Sequence, residues 1–259
     1  MHAVDARDIK AFVDRGGSLL STFETGLYDE KGAERENFAL SGLFRMRKQK
    51  ARVGYGYAFP NGKLNAGPTF MQRIEQAEHP ILAAFKDTNV IQGGSWRVPI
   101  SAEGAPLLTL IPQYPTYPVE AVFPKVDRTE TPMMVARELG GARIVHLAGG
   151  NEAGYWRSSA ADLGDLFVNS VKWLLADRRP IIAEGQGLLE LYGWKTEPGY
   201  ALHLVNHTNP NFRGGAFRQN HMVGPQKVRM FLEDGRPVRK ASLLWANESL
   251  PIRQSGKAV

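Results

Sequence analysis

Residues 12–30 read FVDRGGSLLSTFETGLYDE, and the fold turns on this stretch. Ile9, Phe12 and Val13 lie three and four positions apart on one face of a helix over about Asp5–Arg15, and Gly16 suits the left-handed residue that stops it. Ser18–Phe23 then reads as a short buried strand, followed by a polar turn holding Glu24, Tyr28, Asp29 and Glu30. Open α/β sheets place ligands beyond the carboxyl ends of their strands, so this turn is the first candidate site. A helix–strand step of a parallel sheet also calls for a strand ahead of the helix. The few residues before Asp5 cannot supply one, and the expectation is a sheet that lacks its first strand.

The 259 residues are enough for a full core and two domains. A hydrophobic content of 43% and a charged content of 22% are ordinary for a globular chain. No apolar run approaches the roughly 18 residues that span a membrane, and MHAVDARDIK has no signal-peptide core. The expectation is that the chain has no membrane partner, and the compartment stays open with the cytoplasm slightly favoured. With no cysteine there is no disulfide, thiolate metal site or cysteine nucleophile. The net charge is +6, with a basic run at Arg45, Arg47, Lys48, Lys50 and Arg52. No zinc-finger, helix-turn-helix or RNP pattern accompanies the run, so it reads as a solvated loop and not as a nucleic-acid surface.

Further along, Asn37 is placed to cap a short helix bearing Phe38, Leu40, Leu43 and Phe44. Residues 45–68, including VGYGYAFPNG, form an extended excursion, and a helical or turn segment leads to His79-Pro80-Ile81-Leu82. Strands are expected at Asn89–Gln92, Trp96–Ile100, Leu107–Ile111, Pro132–Glu138 and Ala142–Leu147, the last two joined as a hairpin through Leu139-Gly140-Gly141. After the loop GGNEAGYWRSS, the residues Leu163, Leu166, Phe167, Ser170, Val171 and Leu174 trace one helical face over about Asp162–Ala176. From Pro180 the pattern is all-β. Leu188–Trp194 and Ala201–His207 flank a turn at Glu197-Pro198-Gly199, and Val228–Leu232 and Ala241–Trp245 flank Asp234-Gly235. The expected organisation is an α/β domain over residues 1–179 and a small β-sandwich over 180–259, short of at least one closing strand.

The ordered set RGGSLLSTFETGLYDE, NFALSGLF, HPILAAF, ARIVHLAGGNEAGYWR, LGDLFVNSVKWLL and LHLVNHTNPN resembles the C-terminal portion of bacterial glycoside-hydrolase-like proteins. In these a catalytic barrel is followed by a β-galactosidase-trimerisation-type domain and then a β domain. The resemblance spans roughly residues 5–250. It implies a flavodoxin-like, class I glutamine amidotransferase-like fold with a mostly parallel sheet. It also implies a homo-oligomer, or a barrel whose active site this domain frames. No cofactor is implied. The amidotransferase relatives keep a cysteine at the turn after the strand equivalent to Ser18–Phe23. Here that turn reads Phe23-Glu24-Thr25-Gly26, so amidotransferase chemistry is excluded.

Glu24 reads either as a carboxylate that accepts backbone or sugar hydrogen bonds at the strand end, or as an organiser of its own turn. Glycoside hydrolysis needs two facing carboxylates about 5–9.5 Å apart, and Glu120, Asp127 and Glu152 are the available partners for Glu24. The stretch Asn151, Glu152, Tyr155, Trp156 and Arg157 combines aromatic rings, which stack on sugar faces, with groups that bond hydroxyls. It is a candidate contact for carbohydrate or a partner domain, or else packs beneath the final helix. The loop IPQYPTYP, with Tyr114 and Tyr117, suits an interface or a sheet-edge crossing. Asn206–Asn211 reads more simply as a polar turn than as a sugar contact. His203 and His207 on one strand would stand about 13 Å apart, too far to share a metal.

Overall fold

The computed structural model describes residues 1–54, 69–115, 118–176, 179–197, 199–209 and 221–259, and the backbone of 56–58 and 64–66. Tyr117, Pro198, Asn211 and most of VGYGYAFPNG lie outside the described residues. Two compact units are present, Met1–Asp177 and Arg178–Val259.

The first unit opens with helix α1 (Ala3–Asp14), strand β1 (Leu19–Thr22) and a single helical turn, α2 (Ser41–Phe44). Strands β2 (Met46–Lys48), β3 (Val53–Gly54), β4 (Gly56–Ala58), β5 (Leu64–Ala66), β6 (Met71–Ile74), β7 (Val90–Gln92), β8 (Trp96–Arg97), β9 (Ile100–Ala102) and β10 (Leu108–Ile111) follow. A 3-10 turn at Val119–Ala121 precedes β11 (Pro132–Leu139), β12 (Ala142–Leu147), α3 (Asn151–Ser158) and α4 (Ala161–Leu175).

Six strands form one mixed sheet in the order β1-β12-β11-β10-β6-β7. The β1–β12 pair is parallel, and the other four pairings are antiparallel. The expectation of a mostly parallel sheet is therefore corrected. A parallel neighbour needs a long crossover, whereas a tight turn forces antiparallel pairing. Gly140 and Gly141, both at positive φ (53° and 95°), make such a turn between β11 and β12.

Strand β12 is the centre of the core. Alternate residues face opposite sides, and both sides are covered. On one, the His146 ring meets the rings of Phe38 and Phe44, each centroid 5.4 Å away. On the other, the Arg143 guanidinium lies over the Trp173 ring of α4, which also buries Leu163, Leu166 and Leu174. Leu27, Phe44, Phe70, Ile91, Met134 and Leu147 are among the fully enclosed side chains.

Two local expectations change. Asn37 caps no helix: its Oδ1 accepts from the backbone N–H groups of Phe38 and Lys48, and α2 begins after Leu40 without a side-chain cap. The segment before His79 contains strand β6, paired with both β7 and β10. The residues GGNEAGYWRSS are not a loop either, since Asn151–Ser158 is helical.

The second unit contains β13 (Ile181–Glu184), β14 (Leu189–Thr196), β15 (Gly199–Asn206), β16 (Lys227–Met230), β17 (Ser242–Leu243) and β18 (Glu248–Ser249), and no helix among the described residues. They pair as three antiparallel ribbons, β13–β16, β14–β15 and β17–β18. Among the described residues the unit is built of small two-stranded antiparallel sheets. Among the described residues, β16 pairs with β13 and not across Asp234-Gly235 with β17.

Candidate functional site

Because β1 and β12 run parallel, in register from Leu19 opposite Ile144 to Thr22 opposite Leu147, their carboxyl ends share one edge of the sheet. Glu24 follows the first strand and Asn151 and Glu152 follow the second. The two ends are stitched by the Phe23 N–H donating to Leu147 O at 2.7 Å. Phe23 adopts φ 45°, a left-handed conformation unfavourable for a bulky side chain, and this sharp turn aims the following Glu24 away from the strand line.

The Tyr28 hydroxyl donates to Glu24 Oε1 at 3.3 Å, and Arg52 Nη1 lies 3.6 Å from the same oxygen. The Arg52 guanidinium also sits over the Trp96 ring, 5.4 Å from its centroid. Burial and the Glu24 carboxylate push the Tyr28 phenol above its ordinary value. Glu24 thus accepts from Tyr28 within its own turn and pairs with Arg52 from further along the chain. Arg52 and Trp96 were absent from the sequence-based candidates, because only folding brings them to Glu24. The one available signal was the position of Arg52 in the basic run.

That run is largely paired off. Arg45 reaches Glu103 at 3.3 Å, Lys48 reaches Glu34 at 2.7 Å, and Arg52 reaches Glu24.

Asn151 is fully buried, so it shapes the edge and does not line a surface. Its Nδ2 donates to Gln72 Oε1 at 3.3 Å, while its Oδ1 has no hydrogen-bond partner among the described residues. Gly150 N–H donates to Trp96 O, and Gly94 packs so closely that an added Cβ would meet Gly150 O at 2.5 Å. Glu152 reaches solvent at the first turn of α3 but is crowded by protein on its other side. Burial raises its carboxyl, opposed by bonds from its own backbone and from Thr22.

Tyr155 and Trp156 lie on α3 and line a groove of about 460 Å³ against α4, together with Glu152, Asp165, Phe167 and Val168. The Tyr155 ring rests on Gly164, where a Cβ would meet Cε2 at 3.0 Å. Trp156 is 88% exposed and so does not pack beneath α4. Arg157 is exposed on the last turn of α3. The structure thus separates the candidates into a Glu24–Tyr28 turn, a buried Asn151, and an α3 face carrying Glu152, Tyr155 and Trp156.

No protein-family model matches the chain, and no curated protein matches it. Solved structures do. The α-L-fucosidase isoenzyme 2 from Paenibacillus thiaminolyticus aligns at a TM-score of 0.64 and 15% identity, over 97% of this chain and 36% of that one. A β-galactosidase from Bacillus circulans sp. alkalophilus aligns at 0.55 and 16%, over 80% of this chain and 26% of that one. Gan42B, a GH42 β-galactosidase from G. stearothermophilus, aligns at 0.54 and 14%, over 95% of this chain and 27% of that one. At these identities the likeness is one of fold. The chain spans between 26% and 36% of the length of these three enzymes.

Proposed function

We propose that this chain is a non-catalytic accessory and assembly segment of a glycoside-hydrolase-like, carbohydrate-active protein. Its first unit is read as a β-galactosidase-trimerisation-type domain of amidotransferase-like, flavodoxin-related fold. Its partner is a glycosidase-type barrel or a second protomer. The observation that carries this reading is the lopsided coverage: nearly all of the chain aligns with the fucosidase and with Gan42B, yet it accounts for no more than about a third of either. The engagement of Glu24 by Arg52 and Tyr28 adds support, since it gives that carboxylate structural partners within the chain.

A second reading, sugar contact by the α3 face, is favoured by one observation. Trp156 stands almost fully exposed beside Glu152 and Asp165, and a flat apolar ring flanked by carboxylates suits a sugar ring and its hydroxyls.

Assay of the purified chain against a panel of aryl glycosides, with light scattering over a range of concentrations, tests the proposal. The expected result is no turnover and concentration-dependent self-association. Turnover lost in Glu24→Gln would replace the proposal with a catalytic one, and a strict monomer would remove assembly from it. Titration with oligosaccharides, compared with Trp156→Ala, decides the second reading.

A further inference from the structure

A second cleft, of about 420 Å³, opens in the first unit away from the Glu24 edge. Its walls are Arg45, Arg137 and the turn Glu103-Gly104-Ala105-Pro106, and its floor is formed by Val135 and Ala136 of β11 with Ala102 of β9. The ribbon β2–β9 builds one side. Met46 pairs with Ala102, so Arg45 and Glu103 emerge opposite each other at the ribbon's end. Glu103 N–H donates to Arg45 O at 3.0 Å, and Arg45 Nη1 lies 3.3 Å from Glu103 Oε2. Arg45 is held at φ 48° and ψ 49°, the left-handed region, where it ends α2. A non-glycine side chain held in that conformation is a local strain.

Arg137 comes from β11 on the other side. Its Nη1 donates to Leu43 O, which ties the guanidinium to α2 and uses one of its five N–H donors. Partial burial and the neighbouring Arg45 charge both act against its positive form. Two guanidiniums therefore line the cleft against the single carboxylate of Glu103, which leaves one positive charge in excess. The Arg45–Glu103 pair is solvent-exposed, and such pairs are individually weak. A stronger oxyanion can displace it at little cost.

We propose that the Arg45–Arg137 cleft is an oxyanion-binding site that takes the carboxylate or phosphate group of a small ligand. Arginine forks match the paired oxygens of both groups. The small side chains of Ala102, Ala105 and Ala136 leave room for the group to enter. The site is separate from the Glu24 turn and does not depend on the role assigned to that turn.

Calorimetric titration of the whole chain with inorganic phosphate and with acetate, at constant ionic strength, tests this. Saturable binding of either anion is expected, and the preferred anion tells a tetrahedral group from a planar one. Arg137→Gln should weaken binding by about tenfold or more, the scale of one charged hydrogen bond. Glu103→Gln should tighten binding, because the competing carboxylate is gone; a merely structural salt bridge predicts no such gain. Arg45→Gly removes the second guanidinium while relieving the backbone, so it keeps the test open if Arg137→Gln does not fold. Absence of saturable binding for both anions, or equal binding by wild type, Arg137→Gln and Arg45→Gly, would overturn the proposal.

Discussion

Ser21 Oγ and His146 Nδ1 lie 2.9 Å apart in the interior of the sheet, where both side chains are shut off from solvent. The Ser21 hydroxyl also faces Val145 O at 3.5 Å. If it donates there, it accepts from Nδ1–H, and the lone pair rests on Nε2. That nitrogen is the one with no partner among the described residues. A neutral ring tolerates this, but a protonated ring would present a second N–H with no acceptor. Burial accordingly pushes the His146 pKa down to about 3.

The pH dependence follows in sign. The folded pKa lies below the ordinary value of 6.5, so below that pH the unfolded chain binds a proton that the folded chain refuses. This contribution to stability is complete above pH 6.5 and is lost as pH falls toward 3, by at most about 1.4 kcal/mol per pH unit. Urea melts of wild type and His146→Phe between pH 7 and pH 4 measure it. The expected outcome is a shallower slope in the variant, and equal slopes would refute the assignment.

Ala176 ends α4 at φ 45° and ψ 50°, a conformation that costs an L-residue and suits glycine. Ala176→Gly should stabilise the first unit by about 1 kcal/mol, read as a midpoint rise of roughly 2–4 °C. A lower midpoint would show that the alanine side chain contributes more than the backbone strain costs.

At Gly94 the opposite sign is expected. A methyl group there meets the Gly150 backbone, which cannot step aside because its own N–H is bonded to Trp96 O. Gly94→Ala should destabilise by about 2 kcal/mol or more. Gly42→Ala, in α2 with open space around it, serves as the control and should be neutral or stabilising by up to about 1 kcal/mol. Thermal melts should show a lowered midpoint for Gly94→Ala and an unchanged or raised one for Gly42→Ala.

Trp156 and Tyr155 separate stability from contact. Trp156→Ala should alter the melt by no more than about 0.5 kcal/mol, because its ring is already in water. Tyr155→Ala removes a ring seated on Gly164 and should cost about 1 kcal/mol. Self-association or sugar binding that falls in Trp156→Ala at unchanged stability would assign the α3 face to contact; unchanged binding would exclude it.

The elements read correctly from sequence are those whose burial repeats at a regular spacing. Strand β12 and helix α4 carry mostly apolar residues at their buried positions, His146 and Ser170 excepted, and the paired glycines between β11 and β12 suit a tight turn. Strand β6 escaped notice because its one fully buried residue is Gln72, whose amide bonds Gln92 O and the Asn151 side chain. Its polar residue points inward, so the usual alternation is inverted. Helix α3 escaped for a related reason: Asn151 is its one buried residue and Gly154 interrupts its middle, so no apolar stripe marks it. The pairing of Glu24 with Arg52 and Trp96 joins residues distant in sequence through a fold, and no local spacing encodes it.

The pairing pattern of the basic run has a chromatographic consequence. Arg45, Lys48 and Arg52 each hold a carboxylate from a different part of the chain, and among the described residues Arg47 and Lys50 form no ion pair. From a distance the run looks like two charges and not five. Retention on a heparin column should therefore follow Arg47 and Lys50. Joint replacement of Glu24, Glu34 and Glu103 by glutamine should delay elution by more than their separate effects, because it uncages three cations at one stretch of surface.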